Sequence, residues 1–205
     1  MKPSTVRVLG VLTGVGAIVW SIGWLQLGVP PEGTLDQKEV AAGGVFQLGL
    51  LGLLAVMRAT KATGTGRWGR LVLDAGIVMV VLAFAWTVPY AIDPARPDNI
   101  VLTVLDVFWP LSMVWLIVVG VAVVRAGRWP TPARYLPLAA SLLIPVDLLL
   151  MAVPGLGDWT LIVVRSVYFA VAYTLVGLVV VRQVAPLVES PDGSPRPGVA
   201  SHRTV

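Results

Sequence analysis

Six long apolar runs separated by short polar segments make up most of the chain, at residues 8–29, 40–57, 71–92, 100–124, 135–153 and 159–181. A helix rises 1.5 Å per residue and the hydrocarbon core of a bilayer is about 30 Å thick, so a run of roughly 20 apolar residues spans it. The second run is the shortest and is interrupted by Gly43, Gly44 and Gln47. The pattern predicts an all-α membrane protein in which residues 1–184 form six transmembrane helices, arranged as three antiparallel hairpins.

The polar segments set the orientation. Lys2 and Arg7 precede the first run, and Arg58, Lys61, Arg67 and Arg70 follow the second. Arg125, Arg128 and Arg134 follow the fourth, and Arg182, Arg196 and Arg203 follow the sixth. That places 12 basic residues on one side and only Lys38 and Arg96 on the other, with Arg165 inside a run. Glu32, Asp36, Glu39, Asp93, Asp98 and Asp158 occupy the poorly basic side. Short loops rich in Lys and Arg stay in the cytoplasm, so both termini are expected there, in a cell membrane (cytoplasmic or plasma), with an even number of crossings. The first run is longer than the roughly 7–15 residue core of a signal peptide. Its end, Trp24-Leu25-Gln26-Leu27, offers no small-residue cleavage site, so it is expected to be a retained helix.

Composition narrows the chemistry. Only 13% of the 205 residues are charged and 57% are hydrophobic, against about 25% charged in a soluble domain. The net charge of +4 is spread over short connecting segments and does not form one basic face, so no nucleic-acid partner is expected. Without cysteine there is no disulfide, thiolate metal site or thiol redox chemistry. The only histidine, His202, lies near the C-terminus in a Pro/Gly/Ser-rich segment. No metal and no cofactor are therefore expected. Neither a Ser–His nor a Cys–His pair can form within the runs, and the buried aspartates lack the GxGD motif of intramembrane proteases. No catalytic residue is assigned, and the chain reads as a non-enzyme.

Trp24, Trp68, Trp86, Trp129 and Trp159 fall near predicted span ends, where indole rings suit the headgroup layer, and are read as anchors. The outward-going runs share a Val-Pro ending, Val29-Pro30, Val88-Pro89 and Val153-Pro154. The return runs share an apolar-to-Arg exit at Arg58, Arg125 and Arg182. Three related hairpins would give this echo, and so would the ordinary preference for proline and arginine at helix ends.

Four charges lie inside the runs: Asp74, Asp106, Asp147 and Arg165. Such groups are costly in hydrocarbon and should face protein or water with a partner. Asp74 is four residues from Arg70 and is expected to meet it on the same helix face. Asp147 and Arg165 each lie nine residues from Leu156, in the turn between the fifth and sixth runs. Both then sit about 13 Å below the hairpin tip, at 1.5 Å per residue, and are expected to pair. Asp106 reaches a similar depth, with Trp109 on its helical face and Tyr168 on the face of Arg165. Asp106, Trp109, Asp147, Arg165 and Tyr168 are the candidate ligand or proton site, an outward-facing polar pocket between the fourth, fifth and sixth helices. Pro89, Pro110 and Pro145 remove backbone donors nearby. A buried pair that only fixes helix register is the plainer role for these charges.

Gly64-Thr65-Gly66-Arg67-Trp68-Gly69 fits G-x-G-x-x-G but lacks the strand–turn–helix setting of a dinucleotide site. Arg67 and Arg70, with Arg125 and Arg128, are expected to meet lipid phosphates instead. Gly10 and Gly14 form a GxxxG suited to close helix packing, either within the bundle, with Gly43, Gly44, Gly49 and Gly52 as partners, or against a second copy. Residues 185–205 read as a disordered cytoplasmic tail. The sequence thus points to a component of the lipid bilayer that binds lipid, a membrane-protein partner or its own copies. The alternative is a small proton- or ion-coupled transporter or ligand-binding sensor.

Overall fold

The computed structural model describes residues 1–28, 36–93, 95 and 99–189. Among them all regular structure is helical: α1 (Pro3–Leu27), α2 (Gln37–Ala59), α3 (Arg67–Ile92), α4 (Ile100–Asp106), α5 (Phe108–Ala126), α6 (Leu136–Ser141), α7 (Leu143–Met151), α8 (Asp158–Val179) and α9 (Ala185–Glu189). A π-helical stretch, Val180–Val184, joins α8 to α9. Five stretches are long and apolar enough to cross a membrane: Pro3–Leu27, Gln37–Ala59, Arg67–Ile92, Ile100–Ala126 and Asp158–Val188. Val29, Pro30, Glu32, Arg96 and Asp98 lie outside the described residues, as does everything after Glu189, His202 included. The helical backbone of α9 occupies the first five positions of the segment expected to be disordered.

Proline explains the two interrupted helices. Pro110 has no N–H for the carbonyl of Asp106, and its ring crowds that carbonyl; α4 ends there. Val107 keeps right-handed helical angles (φ −58°, ψ −28°), so α4 and α5 run on as one stretch of 27 residues. Pro145 acts in the same way on Ser141, where α6 ends. Here Leu142 departs from the helical region (φ −78°, ψ 11°), and the fifth apolar run becomes two short helices instead of the one expected. Pro89 lies inside α3 without ending it.

The helices close on themselves in chain order. α1 packs on α2, α2 on α3, α3 on α5, α5 on α6, and α6 and α7 on α8, which returns to α1. α2 lies innermost, with 61% of its apolar window buried against 28–39% for the other four stretches. Small residues make this possible. A Cβ on Gly49 would come within 2.6 Å of the Leu12 carbonyl oxygen, and one on Gly16 within 2.9 Å of Phe46 Cα. Thr13 also donates to the Gly49 carbonyl across 3.0 Å. The GxxxG of Gly10 and Gly14 faces Gly177 and Thr174 of α8, not the α2 glycines, of which Gly43, Gly49 and Gly52 meet α1 and Gly44 meets α3.

Large apolar side chains remain exposed along the outer faces, among them Val11 and Val15 on α1, Val78 and Val81 on α3, Val114 and Val118 on α5, and Val167 and Val171 on α8. A continuous apolar girdle of this kind suits a hydrocarbon solvent and is foreign to water-soluble monomers. Trp68 and Trp159 are 81% and 60% exposed, as interfacial residues can be. Trp129 is only 2% exposed and its indole Nε1 donates to Thr60 Oγ1 at 2.9 Å. It ties the α5–α6 connection to the end of α2 and is not a headgroup anchor.

Candidate functional site

α2 begins earlier than its apolar run suggests. Asp36 caps it, its Oδ1 accepting from the N–H groups of Lys38 (2.7 Å) and Glu39 (3.2 Å). A carboxylate at this position satisfies amides that have no partner within the helix. The cap makes Glu39 part of the helix, where it joins Gly43 and Gln47 on one face at four-residue spacing. Glu39 is half-buried and accepts from Trp24 Nε1 at 3.1 Å. The guanidinium of Arg165 lies over the Trp24 ring, 5.7 Å from its centre. Arg165 in turn donates from Nε (2.9 Å) and Nη2 (2.7 Å) to the two oxygens of Asp147. A line of alternating charge and indole therefore runs from α2 through α1 to α8 and α7.

The Asp147–Arg165 pair has the fork-to-fork geometry of the strongest charge-assisted hydrogen bonds. Its side chains are 23% and 31% exposed respectively. Both oxygens of Asp147 are used, which makes this carboxylate a poor receptor for another ligand. Tyr168, one turn along α8, donates its hydroxyl to the Ala139 carbonyl of α6. It thereby bridges α8 to α6, the piece of the broken helix that precedes Leu142.

Asp106 and Trp109 lie elsewhere. They line a cavity of about 150 Å3 with Trp20, Glu39, Gly43, Gln47, Trp86 and Thr87. Its walls come from α1, α2, α3, α4 and α5, whereas the sequence suggested the fourth, fifth and sixth runs. Asp147, Arg165 and Tyr168 are not in its lining. Gly43 lies against Trp20, where a Cβ would make ordinary contact with Nε1 at 3.4 Å. Deeper in, Thr87 donates to Gln47 Oε1 across 2.9 Å, so the amide oxygen of that buried side chain is satisfied.

An aromatic cluster fixes the indoles. Trp20 stacks on Phe46 at 5.3 Å, meets Trp109 edge-on at 5.1 Å and Phe169 at 5.0 Å, and lies 4.3 Å from Trp24. On the far wall Trp86 is held by Tyr90 at 4.8 Å. Trp24 and Trp86 thus form part of the site, beyond the anchoring role expected of them. Glu39, Gln47, Thr87, Trp20 and Trp86 were not singled out as site residues from sequence. For Glu39 a signal existed in Asp36-Gln37-Lys38-Glu39, which has the spacing of a capped helix start.

At the opposite end, Asp74 pairs with Arg58 at the close of α2 and not with Arg70 of its own helix. Arg67 and Arg70 flank a hollow beside that pair. Arg125 and Arg128 are exposed at the end of α5 and do not line it. Comparison of the chain with protein-family models, with curated proteins and with solved structures gave no match.

Proposed function

We propose that the chain is a multi-pass integral protein of a cell membrane that binds a small cation in the pocket of Glu39 and Asp106. It would serve as a non-enzymatic ligand-binding sensor or cation-coupled transporter. One observation carries this reading: two carboxylates share a single cavity walled by Trp20, Trp86 and Trp109. Carboxylates offer charge, and indole faces attract ammonium groups through the ring quadrupole, by about 0.5–2 kcal/mol each. The volume of about 150 Å3 is below the roughly 300–1,000 Å3 typical of drug-sized ligands, which favours a small amine or monovalent ion.

In the same reading the chain crosses the membrane six times, with α6 and α7 as a broken sixth crossing and both termini in the cytoplasm. The alternation of basic and acidic connections supports this, because an odd number of crossings would place the basic tail on the acidic side. The pocket then lies in the outer half of the bundle. The bidentate Asp147–Arg165 pair favours a second reading, in which it is an internal latch in a component that binds lipid or a membrane-protein partner, its own copies included.

Tryptophan emission of the purified protein, titrated with tetramethylammonium at constant ionic strength, tests the first reading. A saturable change in wild type that is lost in Glu39→Gln supports cation binding. An unresponsive wild type, or a variant responding equally, removes that reading and leaves the latch.

A further inference from the structure

The connection between α2 and α3 closes in a way that is unusual for its sequence. α2 ends in paired reverse-turn bonds, from Ala62 N–H to the Met57 carbonyl (2.8 Å) and from Lys61 N–H to the Arg58 carbonyl (3.2 Å). In this motif the residue just past the helix adopts left-handed angles and is usually glycine. Here it is Lys61, at φ 52°. Bearing a side chain in that conformation is unfavourable, so the position retains lysine against its local preference. Thr63 is buried and donates to the Gly69 carbonyl at 2.8 Å, and a Cβ on Gly69 would overlap the Thr63 carbonyl oxygen. The turn is therefore tightly set, and two glycines of the apparent dinucleotide motif, Gly64 at φ 92° and Gly69, serve its closure.

This turn walls a cavity of about 260 Å3 lined by Arg58, Lys61, Thr63, Arg70 and Asp74. Arg67 and the exposed Trp68 line the adjoining hollow. Asp74 neutralises Arg58. Among the described residues Lys61, Arg67 and Arg70 make no ion pair with a carboxylate. Lys61 and Arg70 line the cavity and Arg67 the hollow beside it, next to an indole of the kind that sits at headgroup level. We propose that this cavity binds a phosphate-bearing anion, supplied either by an acidic lipid headgroup or by a soluble phosphate. Guanidinium and ammonium donors suit phosphate oxygens, and Trp68 beside them favours the lipid as source.

Thermal shift of the purified protein in detergent, titrated separately with short-chain phosphatidic acid, short-chain phosphatidylcholine and inorganic phosphate, tests this. Wild type, Lys61→Gly, Arg70→Gln and Arg125→Gln are compared. Lys61→Gly places glycine where the backbone favours it, so its unliganded Tm should hold or rise while its affinity falls. A saturable shift with phosphatidic acid and none with phosphatidylcholine is expected. The half-saturating concentration should rise about fivefold in Lys61→Gly and in Arg70→Gln, as for one basic residue facing an acidic headgroup, and stay unchanged in Arg125→Gln. An equal response to inorganic phosphate keeps the site and names a soluble ligand. A response to phosphatidylcholine as strong as to phosphatidic acid, an equal loss in Arg125→Gln, or undiminished affinity in Lys61→Gly and Arg70→Gln would overturn the proposal.

Discussion

Separating Asp147 from Arg165 should be costly, and removing both should not. In Asp147→Asn the guanidinium keeps one acceptor oxygen, meets an amide donor in place of the other, and loses its countercharge. In Arg165→Leu the carboxylate is left without either of its two donors, at 2.9 and 2.7 Å, and Trp24 loses the cation over its ring. Breaking a fully buried pair costs about 3–5 kcal/mol. These side chains remain 31% and 23% exposed, which puts the expectation for each single variant at the low end, about 2–3 kcal/mol. The double variant carries no orphaned charge and should cost about 1 kcal/mol, mainly the lost contact with Trp24. The coupling between the two sites is then about 3–5 kcal/mol, far above the few tenths expected of independent positions. Unfolding free energies from SDS titration in mixed micelles give all four values. Mild single variants that add to the double would refute a structural latch and imply that both groups are solvated from a water-filled cavity.

Other outcomes follow from the same packing. Because the chain has no cysteine, Thr131→Cys before α6 and Thr160→Cys in the first turn of α8, just past the connection that follows α7, report cleanly on the two sides of the broken helix; an impermeant maleimide should reach them from opposite sides of the membrane, and labelling from the same side would mean that α6 and α7 do not cross. Gly49→Ala should destabilise by about 1–3 kcal/mol through overpacking, since the new methyl meets the Leu12 carbonyl oxygen of α1 at 2.6 Å; an unchanged SDS midpoint would contradict the α1–α2 contact. Asp36→Ala removes the α2 cap and should cost about 1 kcal/mol, with Asp36→Asn retaining most of the stability; equal losses in the two would argue against capping.

The long helices are legible in the sequence because they follow from length and apolarity alone. The broken fifth run shows where that reading stops. Proline at position 145 announces a missing donor, but whether the helix continues through it, as α3 does at Pro89, depends on neighbours that sequence does not reveal. Relative position is countable from the Leu156 turn, and Asp147 and Arg165, equally far from it, do pair. Rotation about the helix axis is not countable in the same way. Asp106 turns toward α1, α2 and α3 and joins Glu39, a residue read as part of a connection because the apolar run starts one position later. The indoles of Trp24 and Trp86 resemble anchors in sequence; the place of Trp86 on the pocket wall, opposite Trp20, comes from the tertiary packing of Trp86 on Tyr90 and of Trp20 on Phe46.

Equilibrium dialysis with radiolabelled tetramethylammonium tests cation binding at the Glu39–Asp106 pocket most directly. Wild type should bind one cation per chain, and Asp147→Asn, outside the pocket, should bind as wild type does. Glu39→Gln and Asp106→Asn should each weaken binding at least tenfold, about 1.4 kcal/mol. Absence of saturable binding to wild type, or binding that both carboxylate variants retain, would contradict the assignment.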